Sequence, residues 1–224
     1  MGVVISKPPI NLREQLTELK ATQGYEERQF HFDNLVTNGT FDTDTSGWTA
    51  GANTTISVVS NRLRVTNVGT NYGYAYQAFP TVVGKTYTVS VEITYNAGRA
   101  RVLISTSSNP TVGGNIDVSA SGTGTYTFVA STTTTYINVG NRNDSDVYND
   151  FDNISVYEVD PVDNKVIHTM PKGWKPLHVF EDGALQREGS AYDYTVEYDG
   201  FNYIVKETVA PVAPYSTTVI GVRA

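Results

Sequence analysis

The sequence predicts an all-β chain: a jelly-roll β-sandwich, then a small C-terminal β domain, preceded by an N-terminal arm with a short helix. Three observations lead there. Apolar and polar residues alternate over short runs, as in Tyr87-Thr88-Val89-Ser90-Val91-Glu92-Ile93, which is the period of a strand with one buried face. Polar, glycine-containing turns interrupt such runs at intervals of about eight to twelve residues, the cadence of a sandwich. The 224 residues include 15 Tyr and no Cys, so aromatic burial and not disulfide bonding must supply the core.

Residues 1–33 read as an arm. Asn11 is placed to cap a helix with Glu14 at the third position, and Leu12, Leu16 and Leu19 then fall on one helical face. A helix of about ten residues is marginal alone in water. Its leucine stripe therefore needs a partner, either the chain's own sandwich or another subunit. Residues 34–160 form the main domain, with strands at 56–59, 63–65, 87–93, 102–104, 126–129, 136–139 and 154–156. Residues 161–224 form the second unit. There Asp182-Gly183 marks a tight hairpin, Tyr192, Tyr194, Val196 and Tyr198 alternate, and Asp199-Gly200 opens another turn. Residues 201–205 and 218–222 supply its closing strands.

The net charge of -7 and pI near 4.9 argue against a nucleic-acid surface. No run approaches the roughly 18 to 20 apolar residues of a membrane span. The opening Met1-Gly2-Val3-Val4-Ile5-Ser6-Lys7-Pro8-Pro9 has too short an apolar run for a secretory signal. The expectation is non-enzymatic. His31, His168 and His178 lack metal-ligand spacing, and no nucleophile elbow, P-loop or dinucleotide fingerprint is present.

The side chains that stand out are aromatic and acidic. Tyr72, Tyr74 and Tyr76 alternate with Gly73 and Ala75, so their rings share one strand face. That face is either a platform for a pyranose ring, with Asn71, Gln77 and Arg99 or Arg101 as polar neighbours, or a core face against the opposite sheet. Trp48 is expected in the core. Trp174, close to Pro171 and Pro176, is expected to pin the junction between the two β units. Asp144, Asp146, Asp150 and Asp152 gather near the last strand of the main domain. Asp42-Thr43-Asp44-Thr45-Ser46-Gly47 matches half of an EF-hand loop, but its twelfth position is Asn53, so it reads as a polar turn.

Two segments bracket the main domain: Asn34-Leu35-Val36-Thr37-Asn38-Gly39-Thr40-Phe41 with Gly47-Trp48, and Asp150-Phe151-Asp152-Asn153-Ile154-Ser155-Val156. Together with Gly84-Lys85 before the alternating strand, they resemble the opening and closing strands of carbohydrate-binding β-sandwich modules. The resemblance implies no cofactor beyond a structural calcium, which would be held by Asp152 with backbone carbonyls near Asn38 and Thr40; the alternative is a solvated acidic loop. A second resemblance lies in Val179-Phe180-Glu181-Asp182-Gly183-Ala184-Leu185-Gln186, Asp193-Tyr194-Thr195-Val196 and Ala210-Pro211, which is similar to a β module of phage tail fibres and virion appendages. Ile5-Ser6-Lys7-Pro8 and Ile10-Asn11-Leu12-Arg13-Glu14 resemble the start of phage structural proteins. These imply a bacteriophage virion protein, a capsid decoration or short tail fibre, docked on other virion proteins through Leu12, Leu16 and Leu19. They also imply a homo-oligomer, a trimer by analogy, that displays its sandwich toward a host-surface glycan. The alternative is a free carbohydrate-binding module or adhesin resting on Tyr72, Tyr74 and Tyr76.

Overall fold

The computed structural model describes residues 26–69, 72–108, 115–142, 146–208 and 216–224. Leu12, Leu16 and Leu19, as well as Asn71 and Asp144, lie outside the described residues. Every regular element among the described residues is a strand. In chain order these are β1 (Glu27–Phe32), β2 (Thr49–Ala50), β3 (Thr54–Val59), β4 (Arg62–Asn67), β5 (Gly73–Pro80), β6 (Thr86–Thr94), β7 (Ala100–Ser105), β8 (Ile116–Val118), β9 (Gly122–Val129), β10 (Thr134–Asn141) and β11 (Tyr148–Glu158). After them come β12 (Ile167–Thr169), β13 (Trp174–Glu181), β14 (Ala184–Leu185), β15 (Tyr194–Tyr198), β16 (Tyr203–Glu207) and β17 (Thr217–Arg223).

Two antiparallel sheets of five strands make the sandwich. A front sheet runs β2-β5-β10-β7-β8 and a back sheet β3-β4-β11-β6-β9. Alternation along each strand sends Ala75 and Phe79 of β5, Val89 and Val91 of β6, Val102 of β7 and Ile137 and Val139 of β10 into one shared core. Phe41, Phe79 and Phe151 are wholly buried there, each contributing about 1.5–3 kcal/mol of transfer free energy. Trp48 joins this core as expected, its ring 5.6 Å from that of Phe41.

The two bracketing motifs meet. In β11 a bulge lies between Asp152 and Ser155, with Asn153 at φ 48°, so the inward series runs Phe151, Ile154, Val156. The extra residue changes the phase of the strand without exposing an apolar side chain. Ile154 N–H donates to the Gly39 carbonyl at 2.9 Å, an approach so close that a Cβ on Gly39 would run into the Ile154 carbonyl oxygen. Asn34 stitches the same seam: its amide nitrogen donates to Ile154 O at 2.8 Å, and its oxygen accepts from Val156 N at 2.8 Å and Val36 N at 3.1 Å. The Asp42–Gly47 stretch forms the expected polar turn. Asn38 donates to the carbonyls of Asp44 and Ser46, and Trp48 Nε1 donates to Asn38 O.

The C-terminal unit packs a sheet β1-β17-β13-β14 against a sheet β12-β16-β15. Its core holds Met170, Trp174, Val179, Tyr194, Val205 and Val219. The two-residue turn Asp182-Gly183, both at positive φ, joins β13 to β14 as the sequence predicts. Residues 27–32, read from sequence as the end of the arm, are instead the edge strand β1, paired with β17 from Glu27↔Val222 to Phe32↔Thr217. Trp174 does not sit at the junction. It lies inside the C-terminal core, edge-on to Phe30 at 5.1 Å. The junction is tied by the 160–165 turn. Asn164 Oδ1 accepts from Thr88 and Thr127 on the back sheet, while Lys206 of β16 is 2.9 Å from both Asp160 and Asp163. Those two carboxylates push the Lys206 ammonium up to about 12.

Candidate functional site

The outer face of the front sheet is built from the side chains that alternate with the core residues. On β5 the inward Gly73, Ala75, Gln77 and Phe79 leave Tyr74 and Tyr76 facing away from the core, and Tyr72 precedes them on the same side. Register then fixes their neighbours. Tyr76 lies opposite Asn138 of β10, which lies opposite Leu103 of β7; Tyr74 lies opposite Gly140, which lies opposite Arg101; Arg101 in turn lies opposite Asp117 of β8.

These rings are not equivalent. Tyr72 stacks on Tyr74 with centroids 5.2 Å apart, and the Arg101 guanidinium lies 5.0 Å from the Tyr72 centroid on a row where Gly140 has no side chain. Tyr74 is only 7% exposed, because Gly51 packs directly on its ring; a Cβ there would sit 2.5 Å from Tyr74 Cζ. Tyr74 thus supports the face from beneath. Tyr76 and Tyr136, 6.3 Å apart on neighbouring strands, are half-buried and keep ring surface in reach of a ligand. Tyr136 and Asn138 escape the sequence reading, although Tyr136-Ile137-Asn138-Val139 carries the same alternation. Gln77, expected beside the tyrosines, turns inward: its side chain accepts from Thr37 N at 2.8 Å and donates to the carbonyls of Thr37 and Gly47.

Three polar atoms of this face are closed to solvent and have no hydrogen-bond partner: Tyr72 Oη, Arg101 Nε and Asn138 Oδ1. Buried polar groups are ordinarily paired, and these three share one face of one sheet. Burial pushes the Tyr72 phenol up to about 12, which keeps it a neutral donor.

The back sheet differs. Its outward arginines are held: Arg64 grips Asp150 through two bonds of 2.8 and 2.9 Å and lies over Tyr148 at 3.8 Å, while Arg62 bonds Glu92 at 2.6 Å. Asp150 is thereby committed to Arg64. Among the described residues no group of three or more acidic or histidine side chains is arranged to hold a metal. Asp152 nonetheless fits a hard cation in one respect. Its Oδ1 is buried without a partner, and burial pushes its carboxyl above the usual range, with Glu92 and Asp42 adding to the effect. The side chains of Asn38 and Thr40 are engaged elsewhere, with Asp44 and Ser46 and with Asp42 respectively.

Residues 33–146 match the family described as a carbohydrate binding domain. No curated protein matches the chain. Solved structures that align with it include a CBM4 module (16% identity, TM-score 0.44, covering 55% of this chain and 99% of that one). The CBM22-1 xylan-binding domain from Paenibacillus barcinonensis aligns at 11% identity and TM-score 0.44, covering 56% of this chain and 94% of that one. The enzymatically active domain of tailspike protein 4 of bacteriophage CBA120 aligns at 13% identity and TM-score 0.42; the alignment covers 56% of this chain and 21% of the tailspike chain.

Proposed function

The chain belongs to the carbohydrate binding domain family, and from that premise we propose that it is a non-enzymatic glycan-binding protein whose ligand lies across the outer face of the front sheet. One observation carries the reading: Tyr76 and Tyr136 keep half-buried rings on the face turned from the core, the face that also bears Arg101 and Asn138. A sugar offers a C–H face that packs on an aromatic ring and hydroxyls that need donors and acceptors, and this face holds both kinds of partner. Affinity electrophoresis and a glycan array test it. Tyr76→Ala and Tyr136→Ala should each lose glycan retention while melting close to wild type; wild-type retention in both variants would remove this face as the site.

The setting we propose is a bacteriophage particle, with the chain as a capsid decoration or short tail fibre, trimeric by analogy, attached by the arm that carries Leu12, Leu16 and Leu19. What supports this is the resemblance of residues 5–14 and 179–211 to phage structural and appendage proteins. A structural calcium at Asp152 belongs to the same proposal, supported by its unpartnered oxygen. Deleting residues 1–24 should abolish incorporation into particles while leaving the β units folded. Unchanged incorporation would defeat the docking role.

A further inference from the structure

We propose that the glycan taken by the front sheet is anionic, carrying carboxylate or sulfate groups, and that Arg101 is the residue that reads the charge. The inference rests on the reading of that face as the glycan site. Its starting point is a local charge imbalance. The five strands of the front sheet carry two charged side chains, Arg101 and Asp117. Although the two are opposite in register, Arg101 forms no ion pair with Asp117, whose carboxylate is shared by Arg99 at Oδ1 and Arg142 at Oδ2. Two guanidinium groups thus bond the one carboxylate and a third stands opposite it in register without bonding it, in a chain whose net charge is -7.

Arg101 is the unpartnered one of the three. Among the described residues it makes no ion pair or hydrogen bond, and its Nε is closed to solvent. On the back sheet the outward Arg62 and Arg64 are each paired with a carboxylate on an adjacent strand or one strand over, although Arg62 Nη1 is likewise closed to solvent without a hydrogen bond. Arg101 instead rests on the Tyr72 ring, which orients its planar fork. A fork of that kind matches the paired oxygens of a carboxylate or sulfate. The Tyr72 phenol under it, held neutral by burial, brings no repulsion to an anion.

A neutral glycan packed on Tyr76 and Tyr136 offers Arg101 only neutral hydroxyl acceptors, whereas a carboxylate or sulfate offers a charge-assisted, bidentate pair of about twice the strength. The site should therefore discriminate between sugars of equal length and stacking surface by their charge.

The experiment is isothermal titration of the full chain with three probes of similar length: oligogalacturonate, its carboxyl-reduced neutral counterpart, and a sulfated oligosaccharide. At least one anionic probe should bind about tenfold or more tightly than the neutral one, a charge-assisted hydrogen bond being worth that much. Its affinity should fall as salt rises. The carboxylate and sulfate arms identify which anion the site takes. Arg101→Gln should erase the preference, and Arg101→Lys, which keeps the charge but not the fork, should keep part of it. If the neutral probe binds as tightly as both anions, the charge inference is overturned while the front sheet stands as a glycan site. If no probe binds, and a broad array of neutral and anionic glycans is also blank, both readings fall together. Anion binding that survives in Arg101→Gln with its preference intact removes Arg101 from the role.

Discussion

Removing the Asn34 side chain should open the seam of the sandwich. Its amide group makes three bonds to backbone atoms, of which two, to Ile154 O and Val156 N, reach the last strand across more than a hundred residues. Each such bond contributes about 1 kcal/mol net, and leaving a buried N–H such as that of Val156 without a partner adds a penalty of about 1–3 kcal/mol. Asn34→Ala is therefore expected to destabilise the sandwich by about 2–4 kcal/mol. For a chain of this size that corresponds to a drop in Tm of roughly 5–15 °C. Urea unfolding followed through Trp48 fluorescence, in a Trp174→Phe background, isolates the sandwich, and the midpoint should fall with the slope unchanged. Asn34→Asp keeps the acceptor but loses the donor to Ile154 O, so it should fall between alanine and wild type. A loss below about 0.5 kcal/mol for Asn34→Ala, the level of an ordinary surface substitution, would refute the assignment of Asn34 as the closure of the sandwich.

Tyr74→Ala should act on stability, since that ring is buried beneath Gly51 and Tyr72. A loss of about 3 kcal/mol is expected by thermal melting, and an unchanged melt would show that the ring supports nothing. Burial holds the Asp152 carboxyl above its ordinary value of 3.8, so the folded state keeps that proton more tightly than the unfolded state does. Its contribution to stability accordingly declines as pH rises from that ordinary value through the raised one. In chelator at pH 7, Asp152→Asn should melt no lower than wild type, and added calcium should raise Tm for wild type alone; a lower melt for the variant in chelator contradicts this. In the C-terminal unit the buried Glu207 carboxylate meets His168 Nε2 at 2.7 Å and accepts from Thr217 Oγ1 at 3.0 Å. Glu207→Ala should cost about 3 kcal/mol by Trp174-monitored denaturation, while Glu207→Gln, which retains an acceptor, should cost less. Equal losses in the two variants would mean that the hydrogen bonds carry none of the effect.

Local signals in the sequence were enough for the strands themselves. The alternation from Tyr87 to Ile93 is β6, and the runs around Leu63, Val102, Tyr126, Tyr136 and Ile154 all fall inside strands. Asp182-Gly183 sits at its hairpin because left-handed backbone at consecutive positions favours those residues. What stayed hidden was adjacency. Phe30 and Phe32 alternate with polar residues, but nothing local says that their strand pairs with residues near 220. The three tyrosines were readable as one face, yet which of them remains open depends on Gly51 and on the neighbouring strand. Tyr136 and Asn138 become neighbours of Tyr76 only through register, a long-range property. Gln77 faces inward against its polarity, because the carbonyls of Thr37 and Gly47 that receive its amide come from a turn distant in sequence.

Because β1 belongs with β17, the sandwich interrupts the C-terminal unit in sequence, and the two ends of that insertion lie side by side where Leu35 N donates to Val156 O. This arrangement sets an order of assembly. Joined as a free chain, His31 and Thr218 are 187 residues apart; once the sandwich has closed on itself, the effective loop shrinks to about a third of that, which lowers the entropic cost of the β1–β17 contact by roughly 1 kcal/mol. On a ribosome, β1 emerges before the sandwich and waits with an unpaired edge until β17 is made, so a sandwich that folds promptly holds the two halves of the outer unit within reach of each other. The same adjacency makes the sandwich exchangeable: a different insert with neighbouring ends, spliced between residues 33 and 160, should leave the surrounding unit able to fold.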